Sequence, residues 1–110
     1  MKVSYWHKGE TLDYKNNTVS KIEAGTVVNL TTRIGVAGTD INPSETGSLH
    51  VIGVFKMSKA ATEEIKTGAN VYYDTTNECI TATATSNIPA GYATLDAAAN
   101  DSYVYVKLLG

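Results

Sequence analysis

Short runs of Thr, Val, Tyr and Ile recur along the chain, separated by Gly, Asn, Asp and Ser. This pattern is typical of an all-β protein with frequent turns. The clearest strand pattern begins at Ile80, where apolar residues alternate with three threonines through Thr85. Further strands are predicted at residues 27–30, 49–55, 71–73, 91–95 and 103–109. An early hairpin is predicted between residues 12–14 and 19–22, with Asn16 and Asn17 at its turn.

A chain of 110 residues with 43% hydrophobic residues can form one packed domain, and has no room for a second core. One short helix is predicted from Ser58 to Ile65, because Ser58 suits an N-cap and Gly68 a position just past the end. We therefore expect an all-β fold, a small β-barrel or sandwich, with one short α-helix. The expected β-rich domain covers residues 13–110 and follows an N-terminal arm, residues 1–12, that can be mobile.

The second half of the chain repeats a pattern from the first half. We predict two similar three-stranded units that face one another, with residues 25–54 overlaying residues 68–108. The pattern is Gly25-x-x-Val28 followed by Gly35-Val36-Ala37-x-x-Asp40, and it returns as Gly68-x-x-Val71 followed by Gly91-Tyr92-Ala93-x-x-Asp96.

The residue inventory argues against several classes of function. A net charge of −2 without a basic patch is unlike a nucleic-acid-binding protein. Cys79 is the only cysteine, so an intrachain disulfide and a metal site with four thiolate ligands are excluded. The two histidines, His7 and His50, have no carboxylate at a ligand spacing. We expect no catalytic residues, no metal and no cofactor, although a nucleophilic pair of Cys79 and His50 stays open.

Two further expectations concern the turns and the location. Asp40, Asp74 and Asp96 each follow a predicted strand, where an aspartate commonly accepts hydrogen bonds from turn amides. The N-terminus lacks the apolar run of a signal peptide, and no run of eighteen apolar residues occurs. The chain is therefore expected to be a soluble, cytoplasmically made protein without a membrane span.

Seven short motifs follow one another in a fixed order along the chain. They are Glu10-Thr11-Leu12-Asp13-Tyr14, Ala24-Gly25-Thr26-Val27-Val28, Ile34-Gly35-Val36-Ala37, Glu45-Thr46-Gly47-Ser48-Leu49, Gly53-Val54-Phe55-Lys56-Met57, Gly68-Ala69-Asn70-Val71-Tyr72-Tyr73-Asp74 and Ala90-Gly91-Tyr92-Ala93. This order resembles the phage capsid cement, or decoration, proteins, once grouped as a domain of unknown function. Some members of that family are labelled recombinase-like, but this chain has no Walker A lysine and no basic strip.

The resemblance implies a non-enzymatic protein that binds the outside of a mature bacteriophage head and stabilises it. Its implied partners are the major capsid protein and further copies of itself, with a trimer favoured over a dimer. Its implied location is the capsid surface of the virion, after synthesis in the host cytoplasm. Nucleic acid, membrane and cofactors have no part in this function.

The candidate capsid contacts are Tyr5, Trp6 and His7 in the arm and Asn42, Pro43 and Glu45 in a polar loop. Tyr and Trp supply large contact areas at low entropic cost, which makes Trp6 the expected hot spot. The alternative for Trp6 is packing against the protein's own barrel. The alternative function is a non-viral β-barrel binding module for a sugar or peptide, whose ligand platform would be Tyr72, Tyr73, Tyr103 and Tyr105.

Overall fold

The computed structural model describes residues 1–109, and strands are the only regular elements in that part of the chain. In chain order the strands are β1 (Thr11–Lys15), β2 (Val27–Asn29), β3 (Ile34–Ala37), β4 (Thr46–His50), β5 (Val54–Ser58), β6 (Asn70–Asp74), β7 (Cys79–Thr81), β8 (Ile88–Ala93) and β9 (Tyr103–Leu108).

The strands form two antiparallel sheets. Sheet 1 has the order β1-β4-β3-β2, and sheet 2 has the order β5-β9-β8-β6-β7. Neither sheet is a closed barrel. The all-β class is therefore confirmed, in the form of two sheets.

One face of sheet 1 packs against sheet 2. Ile34 and Val36 of β3 join the larger hydrophobic cluster, whose other buried members lie in sheet 2 and its loops. The alternate residue Ala37 faces the other way and packs with Val28 and Leu49 in a smaller cluster. Strand β3 is consequently buried on both faces, as a strand between two apolar layers must be.

The predicted helix from Ser58 to Ile65 is wrong. Lys59 forms a parallel bridge with Ile80, and Ile65 forms an antiparallel bridge with Ala97 through hydrogen bonds of 3.0 and 2.8 Å. The amides of this segment thus bond to distant strands and not to carbonyls one turn back. A helix of under three turns is marginal by itself, so these tertiary hydrogen bonds decide the conformation.

The predicted early hairpin is also wrong. Strand β1 pairs with β4, and residues 19–22 contribute only the bridge between Ile22 and Ile41. Asn16 was expected in the turn but is fully buried, with its side chain bonded to carbonyls elsewhere. The strand at residues 80–85 is shorter than predicted, since β7 ends at Thr81.

The predicted duplication is confirmed in strand order. Unit 1, residues 11–50, has the order β1-β4-β3-β2, and unit 2, residues 54–108, has β5-β9-β8-β6 in the equivalent places. Each unit contains four equivalent strands, not three as predicted, because β1 and β5 precede the glycines that mark the repeat. Strand β7 is the addition in unit 2.

Equivalent hydrogen bonds support this assignment. Gly25 N donates to Ala37 O, and Gly68 N donates to Ala93 O, both at 2.7 Å. The two glycines have the same φ of +86°, a conformation that favours glycine in a tight turn. The repeat signal in the sequence therefore reflects a repeated turn geometry.

Candidate functional site

The arm residues Tyr5 and Trp6 are exposed, at 81% and 87% of their surface. His7 Nδ1 accepts a hydrogen bond of 2.8 Å from Gly9 N, which is local to the arm. Residues 1–9 contain no strand, and the arm first joins the fold where Glu10 O accepts from Val51 N. Trp6 therefore does not pack in the protein's own core and is available to a partner.

The loop with Asn42, Pro43 and Glu45 is exposed but held in place. Asn16 N donates to Glu45 O at 2.9 Å, and Ser44 N donates to Asn16 O at 2.8 Å. The buried Asn16 side chain also donates from Nδ2 to Ile41 O at 2.9 Å. The loop is thus preorganised, which lowers the entropic cost of binding through it.

The structure does not bring the arm and this loop together. The arm enters β1 at Thr11, which lies opposite His50, whereas the loop enters β4 at Thr46, which lies opposite Lys15. The length of β1 separates the two ends by about 14 Å. They are two separate candidate contacts at opposite ends of one strand pair.

Lys59 occupies in unit 2 the place that Asn16 occupies in unit 1. Each is a buried polar residue directly after the first strand of its unit. Lys59 Nζ donates to the carbonyls of Ala60, Glu63 and Ala99, as Asn16 Nδ2 donates to those of Ser20 and Ile41. Both side chains act as internal clamps on loops, and the duplication of this role was missed in the sequence because the residue types differ.

A tyrosine-rich surface lies on the outer side of sheet 2. In β9, Val104 and Val106 point into the core while Tyr103 and Tyr105 alternate with them and are exposed. The ammonium of Lys56 lies 4.3 Å from the centre of the Tyr103 ring, a cation–π distance. We call this surface the tyrosine face; it consists of Tyr72, Tyr92, Tyr103, Tyr105, Lys56 and Lys107.

The predicted ligand platform is only partly present on this face. Tyr73 points to the opposite side of β6 and packs against the larger cluster. Burial, followed by the nearby charges of Glu78, Cys79 and Asp74, raises the pKa of its hydroxyl. Tyr92 lies on the tyrosine face in place of Tyr73. Tyr92 lies opposite Asn70 and Lys107 in the regular part of the sheet, on its outer side.

His50 and Cys79, the pair left open in the sequence, line one cleft of about 650 Å³ between the sheets. His50 stacks obliquely on Phe55, with ring centres 6.1 Å apart. Burial and the charges of Asp74 and Glu63 raise the pKa of the Cys79 thiol, which disfavours the nucleophilic thiolate. Within residues 1–109, no three His, Cys, Asp or Glu side chains are grouped to hold a metal ion.

The three turn aspartates accept amide hydrogen bonds as predicted. Asp40 Oδ1 accepts from Ala24 N at 2.8 Å, and Asp96 Oδ1 accepts from Thr67 N at 2.7 Å. Asp74 accepts from the side chain and backbone of Asn77, and these bonds lower the pKa of its carboxyl. The backbone and hydroxyl of Thr67 lower the pKa of Asp96 in the same way. These carboxylates have structural roles.

A family model described as phage cement protein matches residues 6–108. The chain belongs to this family. The match includes both units, and it includes Trp6 and His7 of the arm but not Tyr5. No curated protein and no solved structure matches the chain. The phage cement assignment supports a structural role in a bacteriophage and association with its capsid.

The described part of this cement protein contains no helix with the length and apolarity to span a membrane.

Proposed function

We propose that this protein binds the outside of a mature phage head as a homo-oligomer and stabilises the shell. The observation that carries the proposal is the cement-family match over nearly the whole chain. The partner is the major capsid protein, and the self-association is a trimer in preference to a dimer. The protein is made in the host cytoplasm and then resides on the capsid surface. No enzymatic step, cofactor or nucleic acid is needed for this role.

The stabilising effect follows from linkage. A protein that binds neighbouring capsomers only in their mature arrangement favours that arrangement by mass action. A homo-oligomer on a local symmetry axis contacts the shell once per subunit, so modest affinities combine through effective concentration. The gain is therefore larger for the oligomer than for a single chain.

The proposed capsid contacts are the arm and the clamped loop. The arm was expected to cover residues 1–12, but Thr11 and Leu12 are paired in β1. In this proposal Tyr5, Trp6 and His7 therefore project from residues 1–10, which are mobile before binding and order on the shell. Trp6 is its main anchor, supported by its 87% exposure. Asn42, Pro43 and Glu45 form the second contact or a subunit contact, supported by the exposure and fixed geometry of their loop.

The substitution Trp6→Ala tests the arm contact. A hot-spot aromatic contributes roughly 2–4 kcal/mol, so the variant should bind expanded, undecorated heads at least about tenfold more weakly. Its melting temperature should equal that of the parent, because Trp6 lies outside the core. Leu95→Ala is the matched control, since Leu95 is an exposed apolar residue of unit 2, outside the arm and the clamped loop. Normal head binding by Trp6→Ala would contradict the arm contact.

A second candidate function rests on the tyrosine face, since exposed tyrosines beside lysines also suit a sugar or peptide ligand. Titration calorimetry with oligosaccharides and peptides tests this reading. Saturable binding that Tyr103→Ser abolishes, together with no binding to heads, would favour the binding module over the cement function.

A further inference from the structure

The two units of one chain contact each other through unlike surfaces. Unit 1 contributes the side of sheet 1 that carries Val36 and His50, which lie opposite each other on β3 and β4. Unit 2 contributes Phe55 and Met57 of β5. Val36 is only 6% exposed as a result. We call the Val36 and His50 side of unit 1 a donor surface and the Phe55 and Met57 side of unit 2 a receiving surface. The two surfaces differ in their residues.

The duplication gives unit 2 a second donor surface. Tyr92 and Lys107 lie opposite each other on β8 and β9, in the positions equivalent to Val36 and His50. Yet Tyr92 is 41% exposed, and the ammonium of Lys107 lies 5.9 Å from the centre of its ring. These two residues belong to the tyrosine face. The tyrosine face of unit 2 is therefore equivalent to the side of unit 1 that unit 2 covers.

The duplication likewise gives unit 1 a second receiving surface. Strands β1 and β5 are equivalent over their full length, so Leu12 and Tyr14 correspond to Phe55 and Met57. Leu12 is 39% exposed, and Tyr14 is partly buried against the smaller cluster. A single chain thus leaves an uncovered donor surface on unit 2 and, on unit 1, a receiving surface where Leu12 is exposed while its strand partner Leu49 is buried within unit 1.

We propose that the tyrosine face of one copy packs on the Leu12 and Tyr14 side of sheet 1 in a second copy. Within one chain, sheet 1 packs on sheet 2. The proposed contact is the same kind of sheet packing, formed between two chains. It specifies the self-contact of the proposed function and rests on its expectation that copies associate. Because the two surfaces differ, the contact is heterologous and every copy uses both, which allows copies to close into a ring.

The chemistry of both surfaces suits this contact. Tyrosine buries a large area at a small loss of rotamer entropy and is enriched at the centres of interfaces. Leu12 offers an exposed apolar side chain for those rings to cover. The partner is thus a second copy of this chain, held by aromatic and apolar contacts.

Two single substitutions test the contact, and each places a charge on one surface. Tyr92→Lys and Leu12→Lys should each lower the association constant of the free protein at least tenfold, measured by size exclusion with light scattering. Val19→Lys is the matched control, because it charges an exposed residue outside both surfaces, and it should leave the parent mass unchanged. Melting curves establish that all three variants are folded.

Mixing the two disruptive variants is the decisive experiment. The Tyr92→Lys copy keeps an intact receiving surface, and the Leu12→Lys copy keeps an intact tyrosine face. An equal mixture should form dimers of one copy each and nothing larger. A mixture that stays monomeric, or a parent that is monomeric at its highest soluble concentration, would overturn the inference.

Head-binding assays separate this inference from the proposed function. A parent that oligomerises through these surfaces but does not bind heads refutes the cement function and leaves the self-contact intact. Conversely, suppose that the Tyr92→Lys variant keeps the mass of the parent oligomer but loses binding to heads or to a ligand. That result would assign the tyrosine face to another partner and refute the self-contact.

Discussion

Replacing Asn16 by alanine should destabilise the protein far more than a change at a polar residue usually does. Its side chain is 0% exposed and donates from Nδ2 to Ser20 O at 2.8 Å and to Ile41 O at 2.9 Å. Its Oδ1 accepts from Thr18 N at 2.9 Å and from the Thr18 hydroxyl at 2.6 Å. Asn16→Ala removes all four bonds and leaves a small polar void.

The magnitude follows from these bonds. Each contributes about 1 kcal/mol net, and water can replace the partly exposed Thr18 bonds, so the expected loss is about 2–3 kcal/mol. A domain of this size has a total stability of about 5–15 kcal/mol. At about 4–8 °C per kcal/mol, the melting temperature should fall by roughly 10–20 °C.

Urea unfolding of the parent and two further variants checks the reasoning. Asn17→Ala is the matched control, because Asn17 is exposed, and it should change the stability by less than about 0.5 kcal/mol. Asn16→Asp should destabilise at least as much as Asn16→Ala, since a carboxylate oxygen would face the two carbonyls. If Asn16→Ala and Asn17→Ala had the same free energy of unfolding, the Asn16 side chain would not stabilise the protein, and the loop would keep its conformation without it.

Two other changes have defined outcomes. Gly91→Ala should prevent folding, because a Cβ there would lie 1.8 Å from Lys107 O. Gly9→Ala meets no atom within 4 Å and should cost only the strain of its positive φ, about 1–2 kcal/mol, within the arm. Similar melting curves for both variants would refute the clash. The low pKa of Asp96 means that its contribution is present above its unfolded pKa of about 3.9 and is lost as pH falls through the lower folded value. Asp96→Asn should therefore destabilise at pH 7 by urea unfolding and lose that effect in strong acid, and a constant effect at both pH values would contradict the assignment.

Local patterns predicted much of the fold. The alternation from Tyr103 to Val106 gave the strand and both of its faces, and the turn aspartates Asp40 and Asp96 gave the hydrogen bonds that close equivalent turns. The repeated glycines predicted the duplication. The alternation in β9 is local, and the aspartates and glycines were recognised because their spacing is repeated, although the bonds of Asp40 and Asp96 join residues 16 and 29 positions apart.

Long-range hydrogen bonds account for what the sequence did not predict. Asn16 has the residue type of a turn but is a buried clamp, and Lys59 follows a good N-cap but bonds across to other loops. Tyr92 was missed as a surface residue because the side of the sheet it faces is set by its pairing with Asn70 of β6 and Lys107 of β9, which are distant in the chain. The arm around Trp6 was expected outside the sheets from its lack of a strand pattern, and its exposure agrees.

The two units differ in how firmly they are held. The larger cluster takes two buried members, Ile34 and Val36, and the partly buried Val27 from unit 1, and the smaller cluster of unit 1 has three buried members. Local opening of unit 1 therefore exposes less apolar surface and needs less free energy than opening of unit 2. The proposed capsid contacts both belong to the unit 1 side of the chain. Coupling between binding and conformation is reciprocal. If unit 1 stabilises the shell by binding it, the shell in turn stabilises unit 1 and suppresses its local opening.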